Sequence, residues 1–108
     1  LLRKGQASKR LRNQLETLSV DSDIWKDIWK VLRTYVSDRF SLPPGELEKD
    51  QILAAIPSTV PSETQEELAR WIDTCEQARF GGAPQNVPEE TLDSFRRFMH
   101  QLDQEIRS

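Results

Sequence analysis

Apolar residues recur along this chain at intervals of three and four, the period of an α-helix, in five successive blocks. The densest block covers residues 23–40, and the others arrange themselves around it. At 3.6 residues per turn, Val31, Ile24, Tyr35, Ile28, Leu32, Trp25, Val36, Trp29 and Phe40 fall in one arc of about half the helix circumference. Lys26, Asp27, Lys30, Arg33, Thr34, Ser37 and Asp38 fill the other half. A surface helix shows an apolar stripe of about 100°. The wider arc needs more than one covering neighbour, so this is the central helix of a small bundle. Its intruder is Arg39, in the middle of the apolar arc in the last turn. Pro43 and Pro44 bar extension, because each lacks an amide N–H and disfavours helix in the residue before it.

The flanking blocks are narrower. Residues 6–18 carry a thin stripe of Ala7, Leu11, Leu15 and Leu18, which fits a peripheral helix docked on one side. Residues 19–23 form a link in which Ser22 or Asp23 can cap the next helix. A short third helix is expected over 46–56, with Leu47, Ile52, Leu53 and Ile56 as apolar contacts. There Glu48 stands where Ser, Thr or Asp would cap better. A fourth, over 61–80, turns Leu68, Trp71, Ile72, Cys75 and Ala78 inward and stops at Gly81-Gly82. A fifth, over 88–107, carries Leu92, Phe95, Met99, Leu102 and Ile106, with Phe98 at the edge of that face.

The last two helices open alike, Val60-Pro-Ser-Glu-Thr64 and Val87-Pro-Glu-Glu-Thr91, with proline at the first helical position and acids against the positive helix end. The expected fold is therefore all-α, a compact bundle of four to five helices. Residues 1–20 read as a basic juxtamembrane segment and peripheral helix, and residues 21–108 as the bundle domain.

Composition narrows the function more than the fold. Three tryptophans and 36% hydrophobic residues argue against disorder. A net charge of −3 argues against nucleic acid as partner of the whole domain. The single Cys75 excludes an internal disulfide framework and points to a reducing compartment. No apolar run approaches the roughly eighteen residues of a membrane span, and there is no signal-peptide pattern. The charge is uneven, however. Arg3, Lys4, Lys9, Arg10 and Arg12 all precede the first acid, Glu16. A basic start on an otherwise acidic domain suits the cytoplasmic flank of a transmembrane helix, and a start at Leu1 fits a piece of a longer protein. The plainer account of those five cations is a solvated, membrane-free helix face.

The inventory for catalysis is thin. His100 falls by phase on the shoulder of its helix, where an exposed histidine is expected. Cys75 points inward and reads as a buried, inert thiol. Gly81-Gly82 comes after a helix rather than before one, so it lacks the positive dipole end of an anion site. No acidic loop has EF-hand spacing. No catalytic, cofactor or metal residue is expected. Arg39 and Arg79 each lie on the apolar face of a last turn. Either each cation meets free carbonyls and the negative helix end while its stem packs, or one forms a partly buried ion pair with Glu76 or Asp73.

Two stretches carry a resemblance. Trp29-Lys-Val-Leu-Arg-Thr-Tyr-Val-Ser-Asp-Arg-Phe-Ser-Leu-Pro-Pro-Gly-Glu-Leu47 resembles the C-terminal cytoplasmic segment of BatD, a bacterial aerotolerance (oxygen-tolerance) membrane protein family. In that family an aromatic-rich helix ends in Tyr-x-x-Asp-Lys/Arg and is followed by Leu/Ile-Pro and a short Glu-Leu helix. Trp71-Ile-Asp-Thr-Cys-Glu-Gln-Ala-Arg-Phe80 is similar to the family's Leu-Leu-Asp-x-Cys-Glu-x-Ala-Arg-Tyr stretch. The match covers about residues 24–80. Glu48 departs from the family's usual Ser/Thr, the first fifteen or so residues agree only in being basic, and the last helix agrees only in pattern.

The resemblance implies an inner-membrane parent with this domain on the cytoplasmic face. It also implies von Willebrand A-domain membrane proteins and a MoxR-type AAA+ ATPase as partners, and a link to oxidative or envelope stress. It supplies no catalytic residues. The contacts to a partner or between helices are expected from Trp25, Trp29, Arg39 and Arg79, and membrane-surface contacts from Arg3, Lys4, Lys9, Arg10 and Arg12. The helix–Ala-Arg-Phe-Gly–helix ending also resembles the small helical domain attached to bacterial membrane transglutaminase-like proteins. The competing class of function is a structural or dimerising tail.

Overall fold

The fold is taken from a computed structural model that describes residues 2–18, 24–43, 47–81 and 88–107, with the side chains of residues 2–5 outside that description. Its five helices are α1 (Leu2–Thr17), α2 (Ile24–Phe40), α3 (Lys49–Ala55), α4 (Ser62–Arg79) and α5 (Glu89–Arg107). Among the described residues there is no strand, and the chain is an all-α bundle. No helix there is long and apolar enough to cross a membrane.

Helix α2 is central, as its wide arc demands. Ile24, Ile28, Val31, Leu32, Tyr35 and Val36 are all buried. They share one core cluster with Ala7, Leu11, Leu15 and Leu18 of the α1 segment, Leu68, Ile72 and Cys75 of α4, and Leu92, Phe95, Phe98, Met99 and Leu102 of α5. Helix α1 thus contributes its whole narrow stripe to the common core. Phe98, expected at an edge, is 3% exposed. Trp71 lies against it and against Phe95, at centroid distances of 6.4 and 5.1 Å, so the apolar face of α5 is wider than its own stripe indicates. Ala78 and Ile106, each in the last turn of its helix, are only half-buried.

The helix ends show which local signals won. Helix α2 ends before its prolines. Ser41 adopts a left-handed conformation (φ 56°), and the Leu42 N–H donates to the Ser37 carbonyl at 3.1 Å. That six-to-one bond is a Schellman cap, and the buried Ser37 hydroxyl closes it by donating to the Leu42 carbonyl. The expected caps Ser22 and Asp23 lie outside the described residues, as do Pro44, Gly45 and Gly82.

Helix α3 is shorter than its apolar pattern suggested. Leu47 is buried in the segment before it, and Glu48 acts as the cap after all. Its N–H donates to Gln51 Oε1 at 2.7 Å while its carbonyl accepts the Ile52 N–H at 2.9 Å. A Gln three residues on supplies half of a capping box, which offsets the weak cap residue.

The twin starts of α4 and α5 act alike. Pro61 and Pro88 flank their helices rather than occupying the first helical position, and their carbonyls accept the N–H groups of Thr64 (3.0 Å) and Thr91 (2.9 Å). Gly81, at φ +78°, provides the expected left-handed stop after α4.

Ser41 is exposed and bears the steric cost of a left-handed conformation without glycine. Ser41→Gly is therefore expected to stabilise the fold by about 0.5–1 kcal/mol. Urea unfolding should give a higher midpoint with an unchanged slope. A lower midpoint would contradict this account of the α2 stop.

Candidate functional site

The polar side chains of the interior serve as ties between helices. Asp103 of α5 is 7% exposed, and its Oδ1 accepts two hydroxyls: Tyr35 of α2 at 2.7 Å and Ser8 of α1 at 3.0 Å. Arg107, one turn on, stands 3.6 Å from Oδ2. Burial, the hydrogen bond to Asp103 and that carboxylate's charge together push the Tyr35 phenol far above its ordinary range, and Arg39 and Arg107 pull it back only in part. A second buried acid, Asp38, accepts from Arg10 Nη1 at 3.2 Å, joining the C-terminal end of α2 to α1. Arg96 of α5 donates through Nε to the Leu15 carbonyl and through Nη2 to the Leu18 carbonyl, both at 3.0 Å. It therefore caps the end of α1, whose last carbonyls have no partner within the helix. Lys49 and Asp73, 2.6 Å apart, join α3 to α4.

These ties change the reading of several expected contacts. Arg10 is held by Asp38, though its side chain remains 53% exposed. Lys9 and Arg12 are exposed, while the side chains of Arg3 and Lys4 lie outside the described residues. Arg39 is half-buried and exerts its charge on Tyr35. Arg79 is exposed, although helical phase places it in line with the buried Cys75. The last turn of α4 extends past the core, so helical phase no longer decides burial there. The ion pair to Asp73 or Glu76 is not formed by Arg39 or Arg79 among the described residues, and Asp73 is taken by Lys49.

The surface shows two aromatic features. Trp25 and Trp29 are both half-buried. Trp25 tilts against Trp71 at 6.4 Å, and the Arg33 guanidinium lies 5.7 Å from the centroid of the Trp29 ring. Trp71 also walls an open groove of about 290 Å³ with Glu67, Arg70 and Thr74. Phe80 is 86% exposed, next to the exposed Arg79. Sequence reasoning missed Phe80 as a surface feature. The available signal was its place one residue past the last inward turn and directly before Gly81.

The remaining candidates are chemically quiet. His100 is exposed, and Cys75 is buried as a free thiol whose pKa is pushed up to about 12 by burial, with Glu76 adding to it. Among the described residues no three His, Cys, Asp or Glu side chains group as a metal site. The arrangement defines a class, a five-helix bundle with internal polar ties and an exposed aromatic end. Compared with models of protein families, with curated proteins and with solved structures, the chain matches none of them.

The buried groups make two outcomes testable. Tyr35→Phe should cost about 1.5–3 kcal/mol, since the Asp103 carboxylate loses its shortest donor. The Tyr35 pKa is higher folded than unfolded, so its contribution is complete below its ordinary value of 10.0 and is lost as pH rises above it. The stability gap between parent and Tyr35→Phe, from urea titrations, should therefore narrow above pH 10. A gap that widens there would refute the assignment. Cys75 should resist Ellman's reagent at mildly alkaline pH in the folded protein and react fully in denaturant. Prompt labelling of the folded chain would mean that the thiol is not sealed in the core.

Proposed function

We propose that this chain is a non-catalytic, protein-docking domain of a BatD-like, membrane-anchored oxygen-tolerance or stress protein, working on the cytoplasmic face of the bacterial inner membrane. The observation that carries this reading is Phe80, an aromatic side chain 86% exposed beside an exposed arginine. The residues that resemble the BatD family divide into two kinds. Tyr35, Asp38, Asp73 and Cys75 have internal duties in the helix ties or the core. Arg79 and Phe80 have none, and aromatic residues and arginine are both enriched at protein interfaces.

The partners that the resemblance implies are von Willebrand A-domain membrane proteins and a MoxR-type AAA+ ATPase. The direct test is capture of those purified proteins by the isolated chain. Capture is expected from the parent and is expected to fall at least tenfold with Phe80→Ala, while thermal stability stays unchanged because Phe80 packs on little. A chain that captures neither protein yet dimerises with rising concentration would be a structural tail instead.

A further inference from the structure

Charge on this molecule is divided by helix. Residues 1–40 contain nine Lys or Arg against five Asp or Glu, whereas residues 41–108 contain six against thirteen. The ion pairs deepen the division. Lys49, Arg96 and Arg107, in the acidic part, are taken up by Asp73, Asp93 and Asp103. On α1 and α2, Lys9, Arg12, Lys26 and Lys30 are exposed, and none of the four has an ion-pair partner among the described residues. Lys26 and Lys30 are one turn apart on α2, and Trp29 stands half-buried between them in sequence with Arg33 against its ring. Arg10 and Asp38 pin the two helices together, so these cations move as one body.

We infer that the α1–α2 hairpin is a docking face for an anionic lipid surface, with Lys9, Arg12, Lys26 and Lys30 on the headgroups and the Trp29 ring at headgroup depth. This deepens the membrane-anchored reading above and rests on it for the choice of lipid over other polyanions. A tryptophan held at the boundary between a core and water, beside cations, suits the headgroup layer. The net charge of −3 does not oppose this. Charges more than about 8 Å from a surface are largely screened at physiological ionic strength, and the molecule extends 38 × 26 × 26 Å. The surface differs from a basic N-terminal tail in two ways: α2 supplies half of it, and Arg10 is committed to Asp38 rather than to lipid.

The chain should co-sediment with vesicles of mixed phosphatidylglycerol and phosphatidylcholine, not with phosphatidylcholine alone, and binding should fall as salt rises. Each neutralised lysine should weaken binding by roughly fivefold, so Lys26→Gln with Lys30→Gln should weaken it about 25-fold. Both side chains are exposed and outside the ion pairs, so the variant should fold as the parent does, which circular dichroism checks. Glu63→Gln with Glu66→Gln, on α4, should not weaken binding. Equal binding to both vesicle types, or an unchanged affinity in the α2 variant, would overturn the inference. Equal or tighter binding to duplex DNA would overturn it in favour of nucleic acid, and salt-sensitive self-association without vesicle binding in favour of a second copy of the chain. If vesicle binding fails while partner capture succeeds, this inference falls and the docking function stands; the reverse result separates them the other way.

Discussion

The carboxylate of Asp103 fixes how three helices meet. One buried oxygen accepts hydroxyls from Tyr35 and Ser8, which sit on α2 and α1. An apolar core tolerates repacking if volume and patterning are kept, whereas a buried acid does not tolerate losing its partners. Shift α1 or α2 along α5 by one turn and Asp103 loses its donors in a place water cannot easily reach. The cost of such a stranded charge is several kcal/mol, comparable to the whole margin of a domain this size. The core supplies the driving force, and this one group selects the register.

The same logic extends to α1, a helix with less apolar surface to offer than α2, α4 or α5. Its stripe is Ala7, Leu11, Leu15 and Leu18, modest beside the aromatic faces of α2, α4 and α5. Polar ties make up the difference at three points along it. Ser8 meets Asp103, Arg10 meets Asp38, and Arg96 grips the Leu15 and Leu18 carbonyls. Arg96 does so with two donors of one planar guanidinium, a geometry lysine cannot reproduce. A helix that looks peripheral by its hydrophobic pattern is in this way tied to both α2 and α5.

Much of this was legible in the sequence, and the exceptions share a cause. The arc of α2, the stripe of α1 and the faces of α4 and α5 come from helical period, and most of their inward residues are buried, with Trp25, Trp29, Phe40, Trp71, Ala78 and Ile106 half-buried. Cys75 and His100 also fall where phase puts them, one buried and one exposed. Period fails where burial depends on something outside the helix. Arg79 sits in phase with Cys75 but beyond the end of the core, so it is exposed. Phe98 sits off the stripe but under Trp71, so it is buried. Asp103 looks like a shoulder residue of an amphipathic helix, and its partners lie 68 and 95 residues away in sequence. The cap formed by Glu48 and Gln51 is local and could have been read from the spacing; it was obscured by a poor cap residue ahead of a good reciprocal partner.

The sorting of residues by duty also bears on function. Tyr35 and Asp38 look from sequence like a polar signature at the end of an aromatic helix. Both are engaged inside, one with α5 and one with α1. Their polarity therefore serves the fold rather than a binding surface. The same holds for Cys75, which burial makes a poor nucleophile. Once the interior has claimed these groups, the surface is left with an aromatic end at Phe80 and a cationic side on α1 and α2. Arg39, the charge that looked misplaced in the central helix, belongs with the interior group. It is half-buried, and with Arg107 its charge offsets part of the effect that Asp103 has on the Tyr35 phenol.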